Sequence, residues 1–149
     1  MPHIKPKSLH PQHGVGYHGA FLGTADEVLA ENDVVIATGV DGDRIKFSKA
    51  DSNASNLRLG LMGIADHGAA DGSKVRVVSH KVITTAIDTS GSALGAPVYL
   101  SETPGAHIIV APTNDLCIGN VLTLAASGAK VVLAPALCNG AVTSQAYTA

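Results

Sequence analysis

Val34-Val35-Ile36-Ala37, then Asp41-Gly42, then Arg44-Ile45-Lys46-Phe47-Ser48 decide the fold class of this chain. The first run is short, apolar and rich in β-branched side chains, which suit a pleated strand. Asp41-Gly42 is a hairpin signal, because glycine accepts positive φ. The third stretch alternates, so Ile45 and Phe47 fall on one face. The same grammar continues downstream. Asp51 to Asn56 is a polar loop, Leu57 to Ala65 is apolar, and Asp71-Gly72 is a second turn. Lys74-Val75-Arg76-Val77-Val78 alternates again. Val82 to Ala86, Pro97 to Leu100, His107 to Val110, Cys117 to Leu124 and Lys130 to Leu133 complete the set. Short strands parted by Gly, Pro, Asp and Ser predict a mainly-β domain over Val34–Pro135. Its form is a compact β-barrel or β-sandwich of short antiparallel strands.

Upstream the text changes. Met1 to Gly23 holds Pro2, Pro6 and Pro11 and four histidines, His3, His10, His13 and His18. It shows neither helical nor strand period and reads as an extended N-terminal arm without a core of its own. Residues 1–23 are therefore assigned to the arm, and 24–149 to a β-rich domain with a short C-terminal tail. Thr24-Ala25-Asp26-Glu27 matches a capping box, which predicts one helical turn through Leu29.

Leu61–Val77 aligns without gaps on Cys117–Leu133 at a constant offset of 56. Gly63/Gly119, Ala69/Ala125, Ala70/Ala126, Gly72/Gly128, Lys74/Lys130 and Val75/Val131 are identical. Two readings stand: two β-hairpins that share turn chemistry, or two copies of one β-module packed into one barrel.

Composition narrows the function. The chain has 149 residues and a formal net charge of −2, from 10 basic and 12 acidic residues. That balance supports neither nucleic acid nor a membrane surface as partner. No run reaches the roughly 18 apolar residues of a membrane span, and no signal-peptide core is present, so the expectation is a soluble chain made in the cytoplasm. Without a secretory signal the sequon Asn53-Ala54-Ser55 carries no meaning. Cys117 and Cys138 fit neither a metal spacing nor a disulfide framework and read as small buried side chains. From Thr89 to Ala149 the only Asp, Glu, Lys or Arg residues are Glu102, Asp115 and Lys130. A solvated surface carries more charge than that, so this half is expected to face protein.

The chemical motifs lead to no catalytic, cofactor-binding or metal residue. Gly14-Val15-Gly16-Tyr17-His18-Gly19 spells a dinucleotide fingerprint, but His10-Pro11-Gln12-His13 before it is no strand and no βαβ unit follows. Gly128-Ala129-Lys130 lacks the rest of a phosphate loop. His10, His13 and His18 have no carboxylate or thiolate among them, so they read as contacts to a neighbouring subunit rather than metal ligands. Asp66-His67 with Ser73, and Ser79-His80, lack a nucleophile elbow. Asp41 and Asp43 flank Gly42 as turn residues. No enzyme activity is expected.

Gly60 to Gly72, then Val75-Arg76-Val77-Val78, Gly95-Ala96-Pro97-Val98-Tyr99-Leu100-Ser101, Thr103-Pro104-Gly105 and Ile118-Gly119-Asn120-Val121 form a pattern. It resembles the capsid decoration (cement) proteins of tailed-bacteriophage heads, and it recurs in β-modules of phage fibres. The resemblance spans Val34 to Pro135 and does not extend to the His-rich arm. It implies a structural virion protein on the outer capsid surface, which binds the lattice of the major capsid protein and stabilises the head. It also implies a homo-oligomer over a local symmetry axis, a trimer ahead of a dimer, and no catalytic residues. The alternative is a tail fibre or spike β-module with an adhesion or receptor-binding role. The Met1–Gly23 arm is expected to be mobile in the free protein and ordered on the capsid.

Overall fold

The computed structural model describes residues 19–53 and 61–135. Its ten named elements are all strands: β1 Ala20–Ala25, β2 Val34–Asp41, β3 Arg44–Lys49, β4 Met62–Ala65, β5 Lys74–Val78, β6 Lys81–Thr85, β7 Pro97–Leu100, β8 His107–Ile108, β9 Cys117–Val121 and β10 Ala129–Leu133. The mainly-β reading holds, and the structure contains both a barrel and a packed open sheet. β1-β3-β2-β4-β5 close into a barrel, while β6-β10-β9-β7-β8 form a five-stranded sheet. All pairings are antiparallel except β1 with β3, which is parallel through Thr24↔Lys46 and Ala25↔Phe47.

The continuous apolar run at Val34 has a physical reason, because β2 is buried on both faces. Val35 points into the barrel with Phe47, Ala65, Val75 and Val77. Val34 and Ile36 point the other way, into a second core. Met62 and Ile64 of β4 join them there, against Ile83, Val98, Leu100, Ile118, Val131 and Leu133 of the open sheet. The inner face of that sheet therefore lies on the outside of β2 and β4. Burying each such side chain contributes about 1.5–3 kcal/mol.

Two expectations at the N-terminal side are corrected. Thr24-Ala25-Asp26-Glu27 forms no helical turn. Ala20 to Thr24 pair with Val78 to Lys74, and Glu27 accepts a hydrogen bond from the Lys49 amide (3.0 Å) instead of returning to Thr24. The pairing of six strand residues outweighs a local capping signal. For the same reason the arm does not reach Gly23, since Ala20–Gly23 are barrel residues. Residues 1–18 lie outside the described residues, as do 54–60 and 136–149. Further along, the strand expected over His107–Val110 stops at Ile108.

The internal repeat is larger than the hairpin that signalled it. Read from β1 in one direction, the barrel order is β1-β5-β4-β2-β3, and the open sheet runs β6-β10-β9-β7-β8. The two orders match strand for strand. Thr24↔Lys74 recurs as Thr84↔Lys130, and Val34↔Ile64 as Pro97↔Asn120. The Asn32 amide donates to the Ala65 carbonyl, as Gly95 does to Val121, each at 2.8 Å. Asn32 and Gly95 both hold positive φ, 71° and 79°. Pairing within the hairpins differs by two residues, Ala65↔Val77 against Val121↔Val131, an even shift that keeps every side chain on its face. The chain thus holds two copies of one β-module. They do not share one barrel: the first closes on itself and the second stays open between β6 and β8.

Gly63 and Gly119, identical in the repeat, show why it persists. A Cβ on Gly119 would lie 1.9 Å from the Val132 carbonyl oxygen, and one on Gly63 would lie 2.4 Å from Val77 Cγ1 and 2.8 Å from the Val78 carbonyl oxygen. Gly119→Ala is expected to destabilise the protein by about 2–3 kcal/mol, because the obstruction is backbone and cannot step aside. Gly128→Ala meets no atom within 4 Å and bears only the cost of a φ of 71°, about 1–2 kcal/mol. Urea unfolding of the two variants checks the order.

Candidate interaction surface

The outer face of the second sheet is the feature that stands out. Alternation turns Ile83, Val131 and Val121 inward and leaves Val82, Thr84, Lys130, Val132, Asn120 and Leu122 outward. Cross-strand pairing sets them side by side, with Val82 opposite Val132 and Val132 opposite Asn120. Val82 is 57% exposed and Leu122 43%. Leu124, just beyond β9, is exposed as well. The one charge on these strands that points outward, Lys130, hydrogen-bonds through Nζ to Thr84 Oγ1.

The matching barrel strands differ. Val132 stands where the first copy has Arg76, whose guanidinium meets Asp66 at 3.7 Å. Lys46 pairs with Asp26 at 2.8 Å, and Lys81, at the junction of the copies, reaches Asp66 at 3.2 Å and Glu31 at 3.3 Å. The Lys46 ammonium, hydrogen-bonded to Asp26, holds that carboxyl below its ordinary range. The low charge after Thr89 therefore has two sources: an inner sheet face committed to the core, and an outer face on which Val82, Val132 and Leu122 alternate with Thr84 and Asn120 and Lys130 is the one charge. Exposed large apolar side chains grouped on one nearly uncharged face suit contact with other proteins.

Residues singled out for chemistry fall into structural roles. Both ring nitrogens of His67 are taken by backbone: Nδ1 meets the Gly68 carbonyl at 2.8 Å and Nε2 accepts from the Arg76 amide at 3.1 Å. No ring nitrogen is left to act as base toward Ser73, and Asp66 is occupied by Arg76 and Lys81. Ser79 Oγ contacts its neighbour His80 Nδ1 at 3.1 Å on the exposed link between β5 and β6. Asp41 and Asp43 flank Gly42 in a two-residue hairpin, where Gly42 has φ 63°. Cys117 is half-buried instead of buried, its Sγ 3.4 Å from the Gly119 carbonyl. His3, His10, His13, His18, the Gly14–His18 stretch and Cys138 lie outside the described residues. Among the described residues, no three His, Cys, Asp or Glu side chains gather as a metal site.

One residue the sequence reading passed over is His107. Its Nε2 lies 2.9 Å from Thr85 Oγ1 across the open seam of the second sheet. It occupies the position of Phe47 in the first copy, since Ala37↔Phe47 recurs as Leu100↔His107.

No protein-family model and no curated protein matches this chain. Among solved structures, the chain is similar to the N base of head fiber gp8.5 in bacteriophage phi29. The TM-score is 0.53 at 15% identity, over 78% of this chain and 92% of that one. The likeness is one of fold: the two-sheet β architecture built here by duplication is also that of a phage head-fiber base.

Proposed function

We propose that this chain is a structural protein of a tailed-phage head, seated on the outer surface of the shell through the outer face of its second sheet. The observation that carries the reading is the fold likeness to a head-fiber base. The exposed Val82 and Leu122, set around the half-buried Val132, support it, because a protein that binds a lattice of identical subunits needs contact surface rather than a reactive site. In this reading the partner is the major capsid protein, the function is decoration and stabilisation of the head, and the chain acts as a homo-oligomer, a trimer ahead of a dimer.

A second reading has its own support. The neighbour is a fiber base, so the same module can serve as the foot of a head fiber instead of a cement plate. The fiber alternative is thereby moved from tail to head. Purified protein mixed with heads that lack it distinguishes the roles. A cement protein raises the temperature at which heads release DNA, while a fiber foot binds without that effect. Failure to cosediment with heads at all contradicts both. Native mass measurement is expected to give three copies per particle of free protein. A chain monomeric in solution and on the head removes the oligomer.

A further inference from the structure

We propose that the Thr85–His107 pair is a pH-sensitive latch that holds β6 to β8 while the imidazole is neutral and lets the seam open when it is protonated. This inference is independent of the head-binding reading, because it rests on the two copies of the module within one chain. In the first copy the same seam is shut by backbone: β1 and β3 pair through Thr24↔Lys46 and Ala25↔Phe47, and the Asp26 amide donates to the Phe47 carbonyl at 2.8 Å. In the second copy β8 has two residues and no ladder to β6. One side-chain hydrogen bond, 2.9 Å long, spans the gap instead.

The polarity of that bond depends on protonation. Thr85 Oγ1 already accepts the Ile87 amide at 3.1 Å, so in the Nδ1–H tautomer of the neutral ring its single hydrogen goes to Nε2. Protonation puts a hydrogen on Nε2. Thr85 must then accept twice, its own hydrogen loses its acceptor, and a charge sits in a seam that was neutral. Burial holds the His107 imidazole below its ordinary value. The folded seam therefore disfavours the proton that the unfolded chain accepts. The stabilisation is complete above the ordinary histidine range, about pH 6.5, and is lost progressively as pH falls below it.

An open cleft of about 290 Å³ adjoins the latch, lined by residues 31–33, 83–87 and 105–107. Its titratable groups other than His107 are Glu31, which is paired with Lys81, and Asp33, whose carboxyl burial raises and which accepts from the Ala30 amide at 2.8 Å. Lys49 lies near Asp33 beside Gly105. Neither acid is hydrogen-bonded to His107, so neither replaces Thr85 as partner for the charged ring. The facing edges of β6 and β8 share no backbone ladder, so the Thr85–His107 bond is the hydrogen bond described between them.

Hydrogen exchange tests the latch, with rates corrected for intrinsic pH dependence. Between neutrality and about pH 5, the range in which histidine titrates, protection of the Ser101 amide, which donates to the Ala106 carbonyl beside His107, should fall about tenfold or more as β8 loses its tie to β6. Protection of the Asp26 amide, at the closed seam, should stay constant. His107→Gln keeps a hydrogen-bonding side chain without the titration and should abolish the pH dependence, as should His107→Phe, which installs the residue of the closed copy. Unchanged Ser101 protection in the wild type overturns the proposal. So does pH dependence that survives in His107→Gln, which assigns it to Asp33 or Glu31. Equal loss at Asp26 also overturns it, because that is global unfolding.

Discussion

A chain carrying Val82→Asp and Leu122→Asp is expected to fold like the wild type and, in the role proposed above, to lose binding to phage heads. Both side chains point into solvent from the second sheet, so neither change opens the core. In a contact through this face each variant removes an apolar anchor and buries an unpaired carboxylate. Either effect alone is worth about 2 kcal/mol or more. Head binding should weaken at least about a hundredfold, and a homo-oligomer formed through the face should fall apart. The duplication supplies the control. Leu22 occupies on β1 the position that Val82 holds on β6, because Leu22↔Arg76 recurs as Val82↔Val132, and it is 58% exposed. Leu22→Asp, on the charged barrel face, should bind heads as the wild type does. If Leu22→Asp abolishes binding and the double variant does not, the docking face is the barrel.

Phe47→Ala should produce the largest loss of stability of any single side-chain truncation in the barrel. Phe47 is fully buried, packs with Val35, Val75 and Val77, and sits on the strand whose two parallel pairs close the barrel. Removing the ring costs about 3–5 kcal/mol from lost burial and the cavity left behind. For a chain of this length that lowers Tm by roughly 10 °C or more. His107→Ala, at the matching place in the open copy, removes one partly exposed hydrogen bond and should cost about 1 kcal/mol. Differential scanning calorimetry of the pair measures the difference. Equal losses would mean that the second seam is as tightly closed as the first.

Much of this architecture was legible. Alternation in Lys74–Val78 and the run Pro97–Leu100 marked β5 and β7 to the residue, because their inward and outward environments differ strongly. The hairpin repeat was visible through Gly63/Gly119 and Gly72/Gly128, where close approach and positive φ admit little else. β1 was not legible. Ala20–Ala25 gains its strand character from partners some twenty to sixty positions away, while its own end spells a capping box. The split into a closed and an open copy was hidden too, since closure turns on two paired residues of β3 that β8 is too short to reproduce. The interaction face could be sensed as missing charge after Thr89. Which residues lie on it depended on knowing that the other face of each strand is spent on the barrel. His107 becomes conspicuous only once β3 is set against β8.

The proposed place of this protein is the exterior of a phage head. The most direct measurement is a cryo-electron reconstruction of heads from phage with and without the gene for this chain. The account predicts a two-lobed β density, present on the outer shell only with the gene, whose second sheet faces the capsid subunits. Identical maps, or the density found only on the tail, would contradict it.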